Sequence, residues 1–316
     1  MHIPVLLKEA INGLNISRGK IIVDATLGDG GHSKEILKKL EKGILVAIDI
    51  DQAAIRGCQT ELEALAKENN NQIFFVNDNF SNLDSILKKL DISKVDGILA
   101  DLGWRVEQIE NEAYGMSFRL NSKLDMRLGR NGGQTKTATD IINDYEIREL
   151  ERIFRIYGEE RHAHLVARKI LEKRRSKKIE NTVELAEIIE GSIGRYYSRS
   201  KIHPATRIFQ ALRIEVNSEI ENLKIFLERS LEYLTDKGRM AVISFHSLED
   251  REVKKFFQTN ARGCICPKES PICFCGRRPK LNLITKKPIR PSEEELEKNK
   301  KSRSAKLRII EKTKNQ

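Results

Sequence analysis

Three carboxylates each close a short apolar run: Ile21-Ile-Val-Asp24, Ile44-Leu-Val-Ala-Ile-Asp49 and Val95-Asp-Gly-Ile-Leu-Ala-Asp101. The first run passes through Ala25-Thr-Leu into Gly28-Asp-Gly-Gly31, after which His32 and Ser33 open a helical pattern. Glycines let a backbone come close to a ligand, and the carboxyl edge of a parallel sheet forms the crevice where nucleotide-like ligands bind. An acid at the end of the second strand, here Asp49, can accept both hydroxyls of a ribose. The turn starts like G-x-G-x-x-G, but Ser33 stands at the third glycine position. That argues mildly against a dinucleotide, whose pyrophosphate needs the tight turn and the close helix.

S-adenosylmethionine carries no phosphate. It needs backbone approach, an acid for the ribose and a polar residue near the adenine. Asp78-Asn-Phe80, after the third apolar run, offers polar and stacking contacts to an adenine. Asp101-Leu-Gly103 falls where amino-methyltransferases hold the attacking nitrogen. An exocyclic base amine is a poor nucleophile because its lone pair is delocalised into the ring. A carboxylate accepting its N–H bonds favours pyramidalisation and steers the lone pair, and in-line positioning does the rest. A capping or ribose-contact role is the alternative for Asp101.

The elements that must position these residues follow from periodicity. Strands are expected at Ile21–Asp24, Ile44–Asp49, Ile73–Val76 and Val95–Asp101. Helices are expected at Glu35–Leu40, along Ile55/Cys58/Leu62/Leu65, and along Leu83/Ile86/Leu87/Leu90. Strand–helix repeats with short connections imply a parallel sheet with right-handed crossovers. From about Gln108 to about Lys201 helix signals dominate. One long helix from about Pro204, with Ile220, Leu223, Leu227 and Leu234 on a face, leads to Gly238. A buried strand follows at Arg239–His246, and Leu281–Thr285 and Ala305–Ile310 are the closing strands. The expected organisation is an α/β domain made of residues 1–107 and 213–316, interrupted after its fourth strand by a helical insertion of residues 108–212.

With 316 residues there is ample length for a buried core, and 33% charged against 39% hydrophobic residues indicates a soluble chain. No apolar stretch approaches the roughly 18 residues that would span a bilayer. The start, Met-His-Ile-Pro-Val-Leu-Leu-Lys-Glu, has no secretory pattern, so a cytoplasmic location is expected. The net charge of +11 is concentrated: Arg262 to Gln316 holds 16 Lys/Arg against 6 Asp/Glu, a balance of 16 − 6 = +10. Such a surface suits a polyanion such as RNA, although a solvated tail is as common. Of five cysteines, Cys58 reads as core. Cys264-Ile-Cys266 and Cys273-Phe-Cys275 could supply four thiolates to zinc, but the usual pairs have two residues between them. Reduced structural thiols are the favoured reading, with no metal expected.

Further blocks turn these features into a family resemblance. In order they are His2-Ile-Pro-Val-Leu-Leu, Asp24-Ala-Thr-Leu-Gly-Asp-Gly-Gly-His-Ser33, Asp101-Leu-Gly103, Gly115-Met-Ser-Phe118, Leu124-Asp-Met-Arg127 and Tyr157-Gly-Glu-Glu-Arg161. His203-Pro-Ala-Thr-Arg-Ile-Phe-Gln-Ala-Leu-Arg213, Val216-Asn217, Val242-Ile-Ser-Phe-His-Ser-Leu-Glu-Asp-Arg251 and Arg303-Ser-Ala-Lys-Leu-Arg308 follow. Together they resemble the bacterial 16S ribosomal RNA (cytosine-N4)-methyltransferase family over essentially the whole chain. The resemblance implies a Rossmann-like S-adenosylmethionine-dependent methyltransferase sheet with a helical insertion domain after the fourth strand. It implies methylation of the exocyclic N4 of a decoding-centre cytosine, with the small ribosomal subunit or its RNA as partner and no membrane. Carried over by position, the cofactor contacts fall on Gly30, Gly31, His32, Asp49, Phe80, Asp101 and Gln108, and Asp101 is the catalytic residue. A DNA amino-methyltransferase shares the amine chemistry. An RNA-binding or assembly factor that kept the pocket but lost turnover is the non-enzymatic alternative.

One block departs from the family pattern. Val-Ser-Ser usually follows Asp-Leu-Gly, whereas this chain has Trp104-Arg105-Val106. Trp104 could stack on a target base or narrow the pocket; Arg105 could meet an RNA phosphate or disturb the cofactor's charge environment. Elsewhere, Phe245 and His246 border the expected target-base site or are structural. Asp125 and Arg127 are expected to anchor the insertion through a structural network, with substrate contact the alternative. Tyr157–Arg161, Arg207 and Arg213 read as domain-junction ion pairs, with RNA contact the alternative. Lys173-Arg-Arg-Ser-Lys-Lys178 favours phosphate contact. Tyr196-Tyr197 offers faces to single-stranded bases, or packs.

Overall fold

The computed structural model describes residues 3–103, 111–129, 136–264, 266, 272 and 275–314. The chain divides into two compact units, Met1–Gly103 with Ile220–Gln316, and Trp104–Glu219.

The first unit is built on seven strands: β1 Ile21–Asp24, β2 Ile44–Asp49, β3 Gln72–Asn77, β4 Val95–Asp101, β5 Leu234–Ser244, β6 Leu281–Leu283 and β7 Lys306–Lys312. They lie in the order β3-β2-β1-β4-β5-β7-β6. The first five are mutually parallel, and β7 runs antiparallel to both β5 and β6. The order reverses between β1 and β4, the switch point at which ligands bind an open, doubly wound sheet. This is the expected Rossmann-like α/β architecture.

β1, β2 and β4 are near-continuous apolar runs because helices cover both faces of the sheet. Successive residues serve opposite layers, as the two-residue period of a strand requires. Ile22, Leu45 and Leu99 pack with Leu14, Ile36, Leu37, Ile55 and Leu62, contributed in part by α2 Gly31–Lys39 and α3 Gln52–Glu68. Val23, Val46 and Ile98 face the other way, with Leu83, Leu87, Phe226, Leu227, Val253 and Phe257. These last come from α4 Leu83–Lys89 and from two later helices, Glu219–Tyr233 and Ser247–Ala261. α1, Leu7–Gly13, lies on the first layer through Ala10 and Ile11.

Three expectations need correction. The long helix from Pro204 is two helices, because Ser218 takes a left-handed φ of 50° between Asn217 and Glu219. Asn217 is held by its side chain, which donates to the Met126 carbonyl and accepts from the Leu128 N–H, so the chain turns there. The next strand begins at Leu234 instead of Arg239. Leu234 pairs with Val95 and Arg239 pairs with Gly97, so the extra residues bulge, with Lys237 at a φ of 63°. His246 stands outside β5, capping the helix Ser247–Ala261.

The second unit is helical among its described residues. Its helices are α5 Ala138–Asp144, α6 Ile147–Ile156, α7 Ala163–Arg174, α8 Thr182–Ile193 and α9 Ala205–Asn217. The helices Glu219–Tyr233, Ser247–Ala261 and Glu293–Lys298 are then α10, α11 and α12. Leu150, Ile153, Phe154, Val166, Ile170, Leu185, Ile189, Ile208 and Leu212 fall at helical spacing and are buried. Thr137 and Asp140 cap α5 reciprocally. No helix among the described residues is long and apolar enough to cross a membrane.

Candidate active site

The glycine turn leaves β1 and reaches α2 with Gly28 at φ 53° and Gly30 at φ 75°, both in the left-handed region open to glycine. The Gly28 N–H donates to Oδ2 of Asp49 at 2.8 Å, and the Asp51 N–H donates to Oδ1 at 2.8 Å. Asp49 is therefore fixed at the carboxyl edge by the turn that it faces. The three glycines do different jobs. A Cβ on Gly30 would lie 3.0 Å from Cβ of Cys58, and one on Gly31 would lie 2.2 Å from Cγ of Pro4, so packing requires both to be glycine. A Cβ on Gly28 would meet nothing within 4 Å. Gly28, which the expected contact set omitted, faces the open space.

Asp24 and Asp101 sit side by side at the ends of β1 and β4. The Asp24 carboxylate is fully buried and accepts the Ser33 hydroxyl at 2.6 Å and the Thr26 N–H at 3.2 Å. The Asp101 N–H donates to Oγ1 of Thr26 at 2.6 Å, which locks the two strand ends together. Burial pushes the Asp24 carboxyl up to about 6, against the pull of the Ser33 and Thr26 hydrogen bonds. Burial likewise pushes Asp101 up to about 6; the negative charges of Asp24 and Glu249 add to this, while His32 and the Gly103 N–H oppose it. Oδ1 of Asp101 is buried and has no hydrogen-bond partner among the described residues. Leaving a buried carboxylate oxygen without a donor is costly, so a donor is due at this place.

His32 lies in the first turn of α2, and its ring is nearly buried. Nε2 is 3.1 Å from the Val5 carbonyl oxygen, and a carbonyl only accepts, so Nε2 carries a proton. Nδ1 then faces Oδ2 of Asp101 at 3.8 Å.

At the end of β3, Asn77 donates to the carbonyls of Asp49 and Ile50, and beyond it Asp78 accepts from the Asn79 N–H and from Asn82. Phe80 opens a short 3₁₀ turn, half-buried, with its ring 5.1 Å from that of Phe226 in an edge-to-face arrangement. At the end of β5, Phe245 packs so closely that a Cβ on Gly103 would come within 2.8 Å of its ring. His246 caps α11: its Nδ1 accepts the Glu249 N–H, and Glu249 accepts the N–H groups of Phe245 and His246. This is the structural role for His246.

Beside it lies a pocket of about 250 Å³, lined by Phe245, His246, Ser247, Arg290, Arg303 and Lys306 among others. Lys306 and Arg308 pair with Asp250, while Arg290 and Arg303 are exposed. The basic tail signalled a polyanion site, but no sequence spacing linked Arg290 and Arg303 to Phe245.

In the helical unit, Asp125 and Arg127 form a two-pronged ion pair at 2.7 and 2.8 Å, and Arg213 pairs with Glu219 at 2.9 Å. Arg207 donates to the Glu159 carbonyl and Tyr197 to Glu160. Tyr196 stacks on His162 with ring centroids 3.9 Å apart, and the Arg195 guanidinium lies 4.8 Å from the Tyr196 centroid. Phe118 stacks on His203 at 4.6 Å, joining two sequence blocks that are distant along the chain. Arg174 donates to the Ile142 carbonyl, while Lys173, Arg175, Lys177 and Lys178 are exposed. Gln108 and the Trp104–Val106 stretch lie outside the described residues.

Comparison with known proteins agrees along the whole chain. The profile of the MraW methylase family matches residues 1–313. A ribosomal RNA small subunit methyltransferase H from Clostridium botulinum is 49% identical over 312 residues, covering 98% of each chain. Its counterpart from Caldicellulosiruptor saccharolyticus is also 49% identical over 312 residues, covering 98% of this chain and 99% of the relative.

Proposed function

Because this chain belongs to the MraW methylase family, we propose that it methylates the exocyclic N4 of a cytosine in small-subunit ribosomal RNA, with S-adenosylmethionine as methyl donor. The observation that carries the reading is Asp101. Its carboxyl is buried and raised to about 6, and one oxygen has no partner among the described residues. It stands on the carboxyl edge two strands from Asp49 and beside the turn whose Gly28 faces open space. That donor set fits the cofactor: an anchored carboxylate for ribose hydroxyls and room along a glycine backbone.

When bound, S-adenosylmethionine supplies a methyl group activated on a sulfonium sulfur. The residues of this chain orient and deprotonate. Asp101 accepts an N–H of the amine, which localises the nitrogen lone pair for in-line attack. It then takes the proton that the nitrogen sheds on becoming methylated. A carboxyl near 6 suits both tasks, since it is ionised at neutral pH yet more basic than an exposed aspartate. Asp49 holds the ribose, and Phe80 borders the adenine. The base must leave its stack to reach this edge, and the target is an open loop or a flipped nucleotide. The helical unit is the RNA-recognition domain, with Lys173, Arg175, Lys177 and Lys178 on phosphates. Arg290 and Arg303 hold the backbone beside the reaction site.

Two measurements test this. Nucleoside mass spectrometry on ribosomal RNA from cells lacking the protein should show loss of N4-methylcytidine, restored by the wild-type chain and not by Asp101→Asn. Labelled methyl transfer to unmethylated small subunits, but not to duplex DNA, should accompany it; transfer to DNA alone would overturn the RNA assignment.

A further inference from the structure

Residues 262–280 connect α11 to β6. None of the described residues among them is buried, and Ile272 is 77% exposed. Three thiols nevertheless converge there. The sulfur atoms of Cys264, Cys266 and Cys275 all lie within 4.8 Å of one another. Those of Cys264 and Cys275 are 3.8 Å apart.

The spacing discriminates between chemistries. A disulfide needs sulfurs about 2.05 Å apart. Four thiolates at about 2.3 Å from a tetrahedral zinc stand about 3.8 Å from one another along each edge, the length found between Cys264 and Cys275. Backbone geometry supports a charged sulfur here as well. The Cys266 N–H points at the Cys264 sulfur at 3.3 Å, and N–H donation to sulfur favours the thiolate and fixes its direction. Gly276 follows Cys275 at a φ of 58°, so the chain turns sharply after the third sulfur.

We propose that Cys264, Cys266 and Cys275 bind a zinc ion as thiolates, closing this loop. Binding releases the thiol protons to solvent and involves no redox change. Zinc takes a fourth ligand, and solvent can supply it beside three thiolates. This proposal departs from the reduced, metal-free reading drawn from the Cys-x-Cys spacing, since one intervening residue suffices when Cys264 and Cys266 meet Cys275 from the other end of the loop. The site ties the end of α11 to the approach to β6 and orders Arg262, Arg277 and Arg278 on the same stretch.

The test uses the full, untagged chain purified under reducing conditions and dialysed against metal-free buffer. Elemental analysis should find about one zinc per chain. Cys264→Ser with Cys275→Ser should lose it, while Cys58→Ser should retain it. Replacement by cobalt should give a thiolate-to-metal charge-transfer band in the wild type and none in the double variant. The double variant should keep the wild-type circular-dichroism spectrum, because none of the loop's described residues packs in either core layer, so zinc loss reports the site and not the fold. Zinc below a tenth of an equivalent after incubation with zinc and reductant would overturn the proposal. An intact mass two units low, with the cysteines resistant to alkylation, would also overturn it by showing a disulfide.

Discussion

His32 and Asp101 face each other across the switch point, with Nδ1 3.8 Å from Oδ2, while the opposite ring nitrogen is tied to the Val5 carbonyl at 3.1 Å. The imidazole is thus oriented by its far side, and its near side tempers a carboxyl that burial would drive still higher. The pair sets how much negative charge the acceptor site carries near neutral pH.

Asp101→Asn should separate stability from turnover. The folded Asp101 carboxyl is raised from 3.8 to about 6, so the fold favours its protonated form. That contribution is fully present below pH 3.8 and is lost as pH rises through 6. An uncharged isostere escapes the loss, so the variant should be more stable than wild type at pH 8 by on the order of 1–2 kcal/mol, and equal to it near pH 4. Methyl transfer should fall by about 10²–10³-fold. Urea unfolding at the two pH values, with single-turnover assays, checks both; an equal stability difference at both pH values would remove the buried-charge account.

The pH profile of kcat/KM should show an acidic limb near 6, with activity rising as Asp101 ionises. His32 opposes the rise of the Asp101 carboxyl, so the limb of His32→Gln should move to higher pH. A limb that stays in place in the variant would show that another group controls it.

Asp49 accepts two backbone N–H groups and is proposed to hold the ribose. Asp49→Asn offers one acceptor oxygen in place of two. Calorimetry should show cofactor affinity lower by about 10–100-fold, or about 1.4–2.8 kcal/mol, with RNA affinity preserved. Unchanged cofactor affinity would remove Asp49 from the site.

Gly28 and Gly30 should respond differently to alanine. At Gly30 a Cβ meets Cys58 and Leu62 at 3.0 and 3.1 Å in addition to a φ of 75°, so Gly30→Ala should cost on the order of 2–3 kcal/mol of stability. At Gly28 the added methyl meets open space, and only the left-handed backbone costs, on the order of 1 kcal/mol. Cofactor affinity should nevertheless drop in Gly28→Ala, since the methyl occupies the approach. Denaturation and calorimetry on the pair decide it, and wild-type affinity in Gly28→Ala would place the ligand elsewhere.

Arg290→Ala with Arg303→Ala should weaken RNA binding and flatten its dependence on salt by about 1.4 in log–log slope, roughly 0.7 for each lost phosphate contact on single-stranded RNA. Cofactor binding should not change. A slope equal to wild type would mean that the pocket beside Phe245 meets no phosphate.

Much of the fold was legible because its causes are local. The runs at β1, β2 and β4 are nearly all apolar since helices cover both faces, and Asp24, Asp49 and Asp101 each mark where a run meets the carboxyl edge. The break at Ser218 was not legible, because periodicity continues through it. Asn217 turns the chain by bonds to Met126 and Leu128, about ninety residues away. His246 read as strand because the apolar run reaches it, while its hydrogen bonds with Glu249 make it a cap.

The sequence by itself determined the parallel sheet, the glycine turn, the identity of the acids at the strand ends and the family. Each of these depends on residue type, period and order along the chain. Tertiary structure alone decided which glycine faces open space, that burial raises the Asp101 carboxyl beside Asp24 and His32, and that Arg290 and Arg303 line one pocket with Phe245. Desolvation, charge proximity and pocket lining depend on distances between residues far apart in the chain, and those distances exist only once the sheet has assembled.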